Sequence, residues 1–95
     1  MRVTFHADVW YWRGPSPFHF VTVPAAESAE LQDVAASVTY GWGMIPVMAQ
    51  VGDTTFKTSL FPKDGGYIVP LKDAVRRAED IDVGDGIDIV LTLAG

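Results

Sequence analysis

The sequence predicts a small, mainly β barrel of about six strands with two short helices. Three observations carry that prediction. Apolar and polar residues alternate along several short stretches, the period of a strand with one face buried. Gly, Pro and Asp recur between those stretches where the chain must reverse. The chain has 95 residues, a length that supplies one core and makes a single domain over 1–95, and closing the sheet removes the edges that an open sheet would leave.

Over Arg2 to Tyr11, Val3, Phe5, Ala7, Val9 and Tyr11 alternate with Thr4, His6 and Asp8, which predicts the first strand. "RGPSP" at 13–17 must turn, and "FHFVTV" resumes extended structure until Pro24, completing a hairpin. "AAESAELQDVAASV" carries Leu31, Val34, Ala35 and Val38 at spacings of three and four, one apolar stripe on a helix of about ten residues. "TYGWG" breaks that helix. Met44 to Val51 reads as a strand whose Pro46 calls for an edge or a bulge, because proline cannot donate to a ladder.

Thr54 to Phe61 is strongly β-prone, with Phe56 and Leu60 on one face and Thr55, Lys57 and Ser59 on the other. Pro62 is expected to stop it, "KDGG" to reverse the chain, and "YIVP" to form a short strand. A helix introduced by Pro70 is then expected to turn Leu71, Ala74, Val75 and Ala78 inward. After "VGDG", Ile87, Ile89, Leu91 and Leu93 alternate with Asp88 and Thr92 in a closing strand.

Composition narrows the function classes. There is no cysteine, which excludes disulfides and thiolate chemistry. No apolar run is long enough to span a bilayer and no charged leader precedes an apolar stretch, so a cytoplasmic protein is the expectation. Net charge is −5, and an averaged field of that sign opposes approach to a phosphate backbone.

Against that acidity, five of the seven basic residues fall between 57 and 78, followed by Glu79, Asp80, Asp82, Asp85 and Asp88. Lys57, Ser59, Tyr67, Lys72 and Arg76 form the first candidate ligand site: amines, a guanidinium and hydroxyls converging on a carboxylate or phosphate. The plainer account is a charged helix face neutralised by the acidic tail. Trp10, Trp12, Arg13 and Phe18 in "WYWRGPSPFHF" form the second candidate, an aromatic contact surface. Its competitor is core filling, although Trp10 and Trp12 share the parity of His6 and Asp8 rather than that of Val3, Phe5 and Val9.

His6 and Asp8, with His19 across the hairpin, are too few ligands for zinc or iron, so no metal and no cofactor is expected. A His6, Asp8 and Ser59 hydrolase lacks a nucleophile elbow, and no catalytic residue is assigned. "GDG" at 84–86 has no helix after it to receive a phosphate.

The ordered combination "FKTSLFPKDGGYIVPLKDAVRRAEDIDVGDGIDIVLTL", preceded by "VTVP" and "MIPVMAQVGDTTF", resembles the bacterial family catalogued as domain of unknown function nineteen-oh-five. The resemblance covers nearly the whole chain. It implies a double-split β-barrel, similar in architecture to transition regulators of the AbrB and MazE type, and it implies no established activity. The expected function is a non-catalytic ligand-binding or protein-interaction module, with a small anionic ligand or a protein as partner, working as a monomer or weak homodimer. A small enzyme acting on an anionic metabolite is the alternative. An AbrB-like DNA-binding role is disfavoured by the charge.

Overall fold

Eight elements follow one another in the computed structural model, which describes residues 1–38 and 42–93, the side chains of 36–38 excepted. They are β1 (Arg2–Trp12), β2 (Phe18–Thr22), α1 (Ala25–Val38), β3 (Ile45–Val51), β4 (Thr54–Lys63), β5 (Gly66–Leu71), α2 (Asp73–Glu79) and β6 (Gly86–Leu93). The strands close in the order β1-β2-β5-β4-β3-β6, with β6 back against β1, and every pairing is antiparallel.

Two strands change neighbours part-way along. Arg2 to Asp8 of β1 pair with β6, whereas Val9 to Trp12 pair with β2. Thr54 to Leu60 of β4 pair with β3, whereas Phe61 to Lys63 pair with β5. β1 and β4 therefore belong to two half-sheets each, and the barrel has the double-split form.

The splits explain where proline is tolerated. Pro46 lies opposite Ser59 of β4, outside the stretch Val47 to Val51 that pairs with β6. Pro62 faces Tyr67 of β5 after pairing with β3 has ended at Leu60, so β4 runs through it instead of stopping there. Pro70 faces Phe20 of β2, beyond the residues of β5 that pair with β4. At all three positions only one side of the strand is paired, and the missing N–H falls on the other. Pro70 is thus a strand residue, and α2 starts three residues later than the sequence suggests. Leu71 ends β5 and is fully buried there.

Alternation fills the interior. β3 alternates buried and exposed along its length, with Ile45, Val47, Ala49 and Val51 inside, and β6 contributes Ile87, Ile89, Leu91 and Leu93. Most described residues of this cluster are aliphatic; Phe5, Phe56 and Tyr67 are the aromatic members among them. Tyr11 has the inward parity but is exposed, because beyond Val9 its cross-strand partner is His19 rather than another core residue.

α1 runs for 14 residues, longer than its apolar stripe requires. It sets Leu31, with no exposed surface, into the core, and Val34 and Ala35 pack against the same cluster. The side chain of Val38 and the "TYG" of the expected break lie outside the described residues. α2 buries Val75 and ends where Asp80 takes a left-handed conformation (φ 53°), letting the Ile81 N–H return to the Arg76 carbonyl at 2.9 Å.

The β3–β4 reversal is tied to α2. Gly52 has φ +57°, and a Cβ there would overlap the Glu79 carboxylate, which accepts a 2.6 Å hydrogen bond from Thr54 Oγ1. Gly52→Ala is therefore expected to cost about 1–2 kcal/mol, from left-handed backbone and the displaced carboxylate. Urea unfolding reads this as a lower midpoint at unchanged slope; an unchanged midpoint would contradict it.

Candidate functional site

The outward face of the β1–β2 hairpin is aromatic because its register stacks alternate residues of both strands. Val9 opposes Val21 on the inside; the positions between them set Trp10 opposite Phe20 and Trp12 opposite Phe18 on the outside. Phe20 in turn opposes Pro70 of β5, and Ile68 of β5 opposes Phe61 of β4. The rings meet at tilted angles: Trp10 and Phe20 have centroids 5.2 Å apart, Phe18 and Phe20 5.7 Å, Phe20 and Phe61 6.4 Å. These are favourable edge-and-face contacts.

Phe20 and Ile68 are only 8% and 7% exposed, yet neither belongs to the interior cluster. They form a second apolar layer on the outside of the barrel. Around them opens a groove of about 330 Å³, walled by Trp10, Trp12, Phe20, Phe61 and Ile68. Trp12, 43% exposed, folds over Gly14, whose missing Cβ leaves room for the indole. Trp10 Nε1 donates to Thr22 Oγ1 at 2.9 Å, fixing that ring. Polar character comes from Ser16 and from Lys63, whose ammonium lies 5.5 Å from the Trp12 ring centroid and 3.5 Å from Asp64.

Lys63 and Ile68 also line a neighbouring cleft of about 360 Å³ between the start of α1 and the β4–β5 turn. There Gln32 Nε2 donates to the Gly65 carbonyl at 2.6 Å, and the buried Ser28 hydroxyl donates to the Val23 carbonyl at 3.2 Å.

The cationic candidates are arranged differently. Lys57 and Ser59 point outward from β4, on the parity opposite Phe56 and Leu60. Lys72 Nζ donates to the main-chain carbonyl of Lys57 at 2.9 Å, so these two lysines are neighbours. Arg76 is turned toward Asp73 (3.4 Å) and Asp82 (3.8 Å), and its Nε is buried without a hydrogen-bond partner among the described residues. Tyr67 is 6% exposed and packs inside the barrel. Lys57 lines a hollow with Met48 and Thr58, whereas Arg76 lines another with Arg77 and Asp80.

Trp10, Trp12 and Phe18 stand out in the sequence, whereas Phe20, Phe61, Ile68 and Lys63 join the groove only in the fold. Parity would have found Phe20, which shares a face with Phe18; Phe61 and Lys63 share one with Lys57 and Ser59. Arg13 is exposed in the turn after β1.

The family model described as "Domain of unknown function (DUF1905)" matches residues 5–91. The chain belongs to the DUF1905 family. No curated protein matches it. The groove residues of β1, β2, β4 and β5 all lie within the matched span, so the second apolar layer is part of this DUF1905 domain rather than an addition at its ends.

Elsewhere on the DUF1905 barrel, His6 Nδ1 and Asp88 Oδ1 are 2.8 Å apart across β1 and β6, both largely exposed. Ser59 is three strands away by either route round the barrel, roughly 14 Å at the usual strand spacing, so His6 and Ser59 do not share a site. Among the described residues no three His, Cys, Asp or Glu side chains gather as metal ligands.

His19 packs against Tyr11 with the rings tilted by 54° and their centroids 4.7 Å apart. Burial lowers its pKa from the ordinary 6.5, the Arg76 guanidinium acts in the same direction, and the Asp73 and Asp82 carboxylates oppose them. The native state thus favours neutral His19, while the unfolded chain takes up a proton as pH falls through about 6.5. Stability from this group is present above that pH and is lost below it, by less than about 1 kcal/mol for so accessible a ring. Urea midpoints from pH 7.5 to 5.5 should fall more steeply for the native sequence than for His19→Gln; parallel curves would refute this.

Proposed function

We propose that this DUF1905 domain is a non-catalytic binding module and that its ligand occupies the aromatic groove outside the barrel. One observation carries the reading: Phe20 and Ile68 are buried from outside, by rings the interior does not need. A concave, mainly apolar surface with a few polar groups at fixed positions is the usual form of a small-ligand site. Its walls stand on paired strands, so little ordering is required on binding. Folding gives Trp12 no comparable reason to be half exposed, and exposed apolar clusters of this kind mark interaction sites.

The cationic residues favour a role in the fold. The Lys57 carbonyl lies on β4 where only β3 is paired with it, and the Lys72 ammonium covers that open edge. Arg76 is engaged by two carboxylates. Within this reading the domain acts in the cytoplasm as a monomer or weak homodimer. No helix of the described residues is long and apolar enough to cross a membrane.

An amide-resolved NMR screen of small aromatic and aliphatic fragments tests the proposal. Bound fragments should shift signals of Trp10, Trp12, Phe20, Phe61 and Lys63, and Trp12→Ala should weaken them about tenfold or more while leaving the fold intact. Binding confined to the hollow beside Lys57 and Met48, or chemical turnover of the bound fragments, would overturn it.

A further inference from the structure

We infer that the groove selects a small organic anion: a flat apolar body such as an arene or indole, bearing one carboxylate or sulfonate that is received by Lys63. This inference rests on the groove reading above and specifies its ligand. The walls determine the body. Trp10 and Phe20 are tilted by 31°, and Phe20 and Phe61 by 55°, so the groove presents ring faces and edges to whatever enters it. A planar hydrocarbon ring satisfies those surfaces. A polyol does not, because among the described residues the lining offers only Ser16 and Lys63 as polar side chains beside the indoles. A volume of about 330 Å³ is at the small end for ligand sites, which suits one or two fused rings.

Lys63 determines the charge. It is the only cationic side chain among the described residues lining either cavity, and it lines both. The other polar groups at the junction are already engaged: Thr22 Oγ1 accepts from Trp10, the Ser28 hydroxyl donates to Val23, and the Gln32 amide donates to Gly65. The Lys63 ammonium carries three donors. Its carboxylate neighbour, Asp64, lies 3.5 Å away and is 87% exposed, a surface pairing that is weak and easily exchanged. An incoming carboxylate can take Asp64's place or share the ammonium with it, while the ammonium stays over the Trp12 ring.

The test titrates the folded chain with two fluorescent probes of similar shape, the anion 1-anilinonaphthalene-8-sulfonate and the neutral N-phenyl-1-naphthylamine. Near-UV circular dichroism verifies that each variant keeps its packing. Saturable binding of the sulfonate is expected, weakened about tenfold by Lys63→Met and retained within about threefold by Lys63→Arg. The neutral probe should be indifferent to Lys63→Met, and Trp12→Ala should weaken both. If the neutral probe binds in a Trp12-dependent way but the sulfonate is insensitive to Lys63→Met, the anion inference falls and the groove reading stands. If neither probe binds, both fall.

Discussion

Closure of the barrel depends on β1 and β4 each serving two neighbours in succession. A strand that keeps one partner on each side, as β3 does from Val47 to Val51, stays within a single half-sheet. Here the exchange after Asp8 and after Leu60 lets six short strands surround one interior. That interior is narrow, and aliphatic side chains occupy most of it. Valine, isoleucine and leucine pack well at this scale because their branched shapes interdigitate without a polar atom to satisfy. The consequence reaches the surface: most of the aromatic rings of the first hairpin have no room inside, and strand parity puts them together outside.

Open edges are the cost of such a split, and the chain manages them with particular residues. Pro46, Pro62 and Pro70 stand where a strand is paired on one side only, so the lost donor is not missed, and a proline edge resists pairing with another chain. Lys72 adds a charge on the open side of β4 by bonding the Lys57 carbonyl. The cluster of cations in this acidic sequence is thereby partly accounted for: Lys72 protects an edge, and Arg76 with Asp73 and Asp82 ties α2 to the segment that follows it.

Much of this was legible from sequence. β6 and the buried face of β3 follow directly from alternation, since every second residue has to be apolar when one face lines a closed core. β4 and β5 run past their prolines to Lys63 and Leu71, because the general aversion of strands to proline does not apply where a strand is paired on one side only. Tyr67 shows a different limit: a tyrosine on a β-prone stretch fits either face equally well, and only the register opposite Pro62 sends it inward. The aromatic parity of Trp10 and Trp12 was visible, but their union with Phe61 and Lys63 was not. Those residues are some fifty positions away, and a non-local neighbour is set by strand order, on which periodicity is silent.

The same order explains why the groove lies where it does. β5 is buried on both faces: Tyr67, Val69 and Leu71 inside, Ile68 and Pro70 beneath the outer rings. A strand covered twice loses its freedom to shift in either direction, because a one-residue slip would exchange two apolar sets of different shape. The outer layer therefore helps to hold register as well as to form a surface. This dual role separates its members. Phe20 and Ile68, nearly covered, act chiefly through packing, whereas Trp12 and Lys63 stand at the open side, resting on Gly14 and on one another. Changes at the first pair should act on fold and groove together, and changes at the second pair on the groove alone, which makes Trp12 and Lys63 the residues through which the surface can be studied without disturbing the barrel.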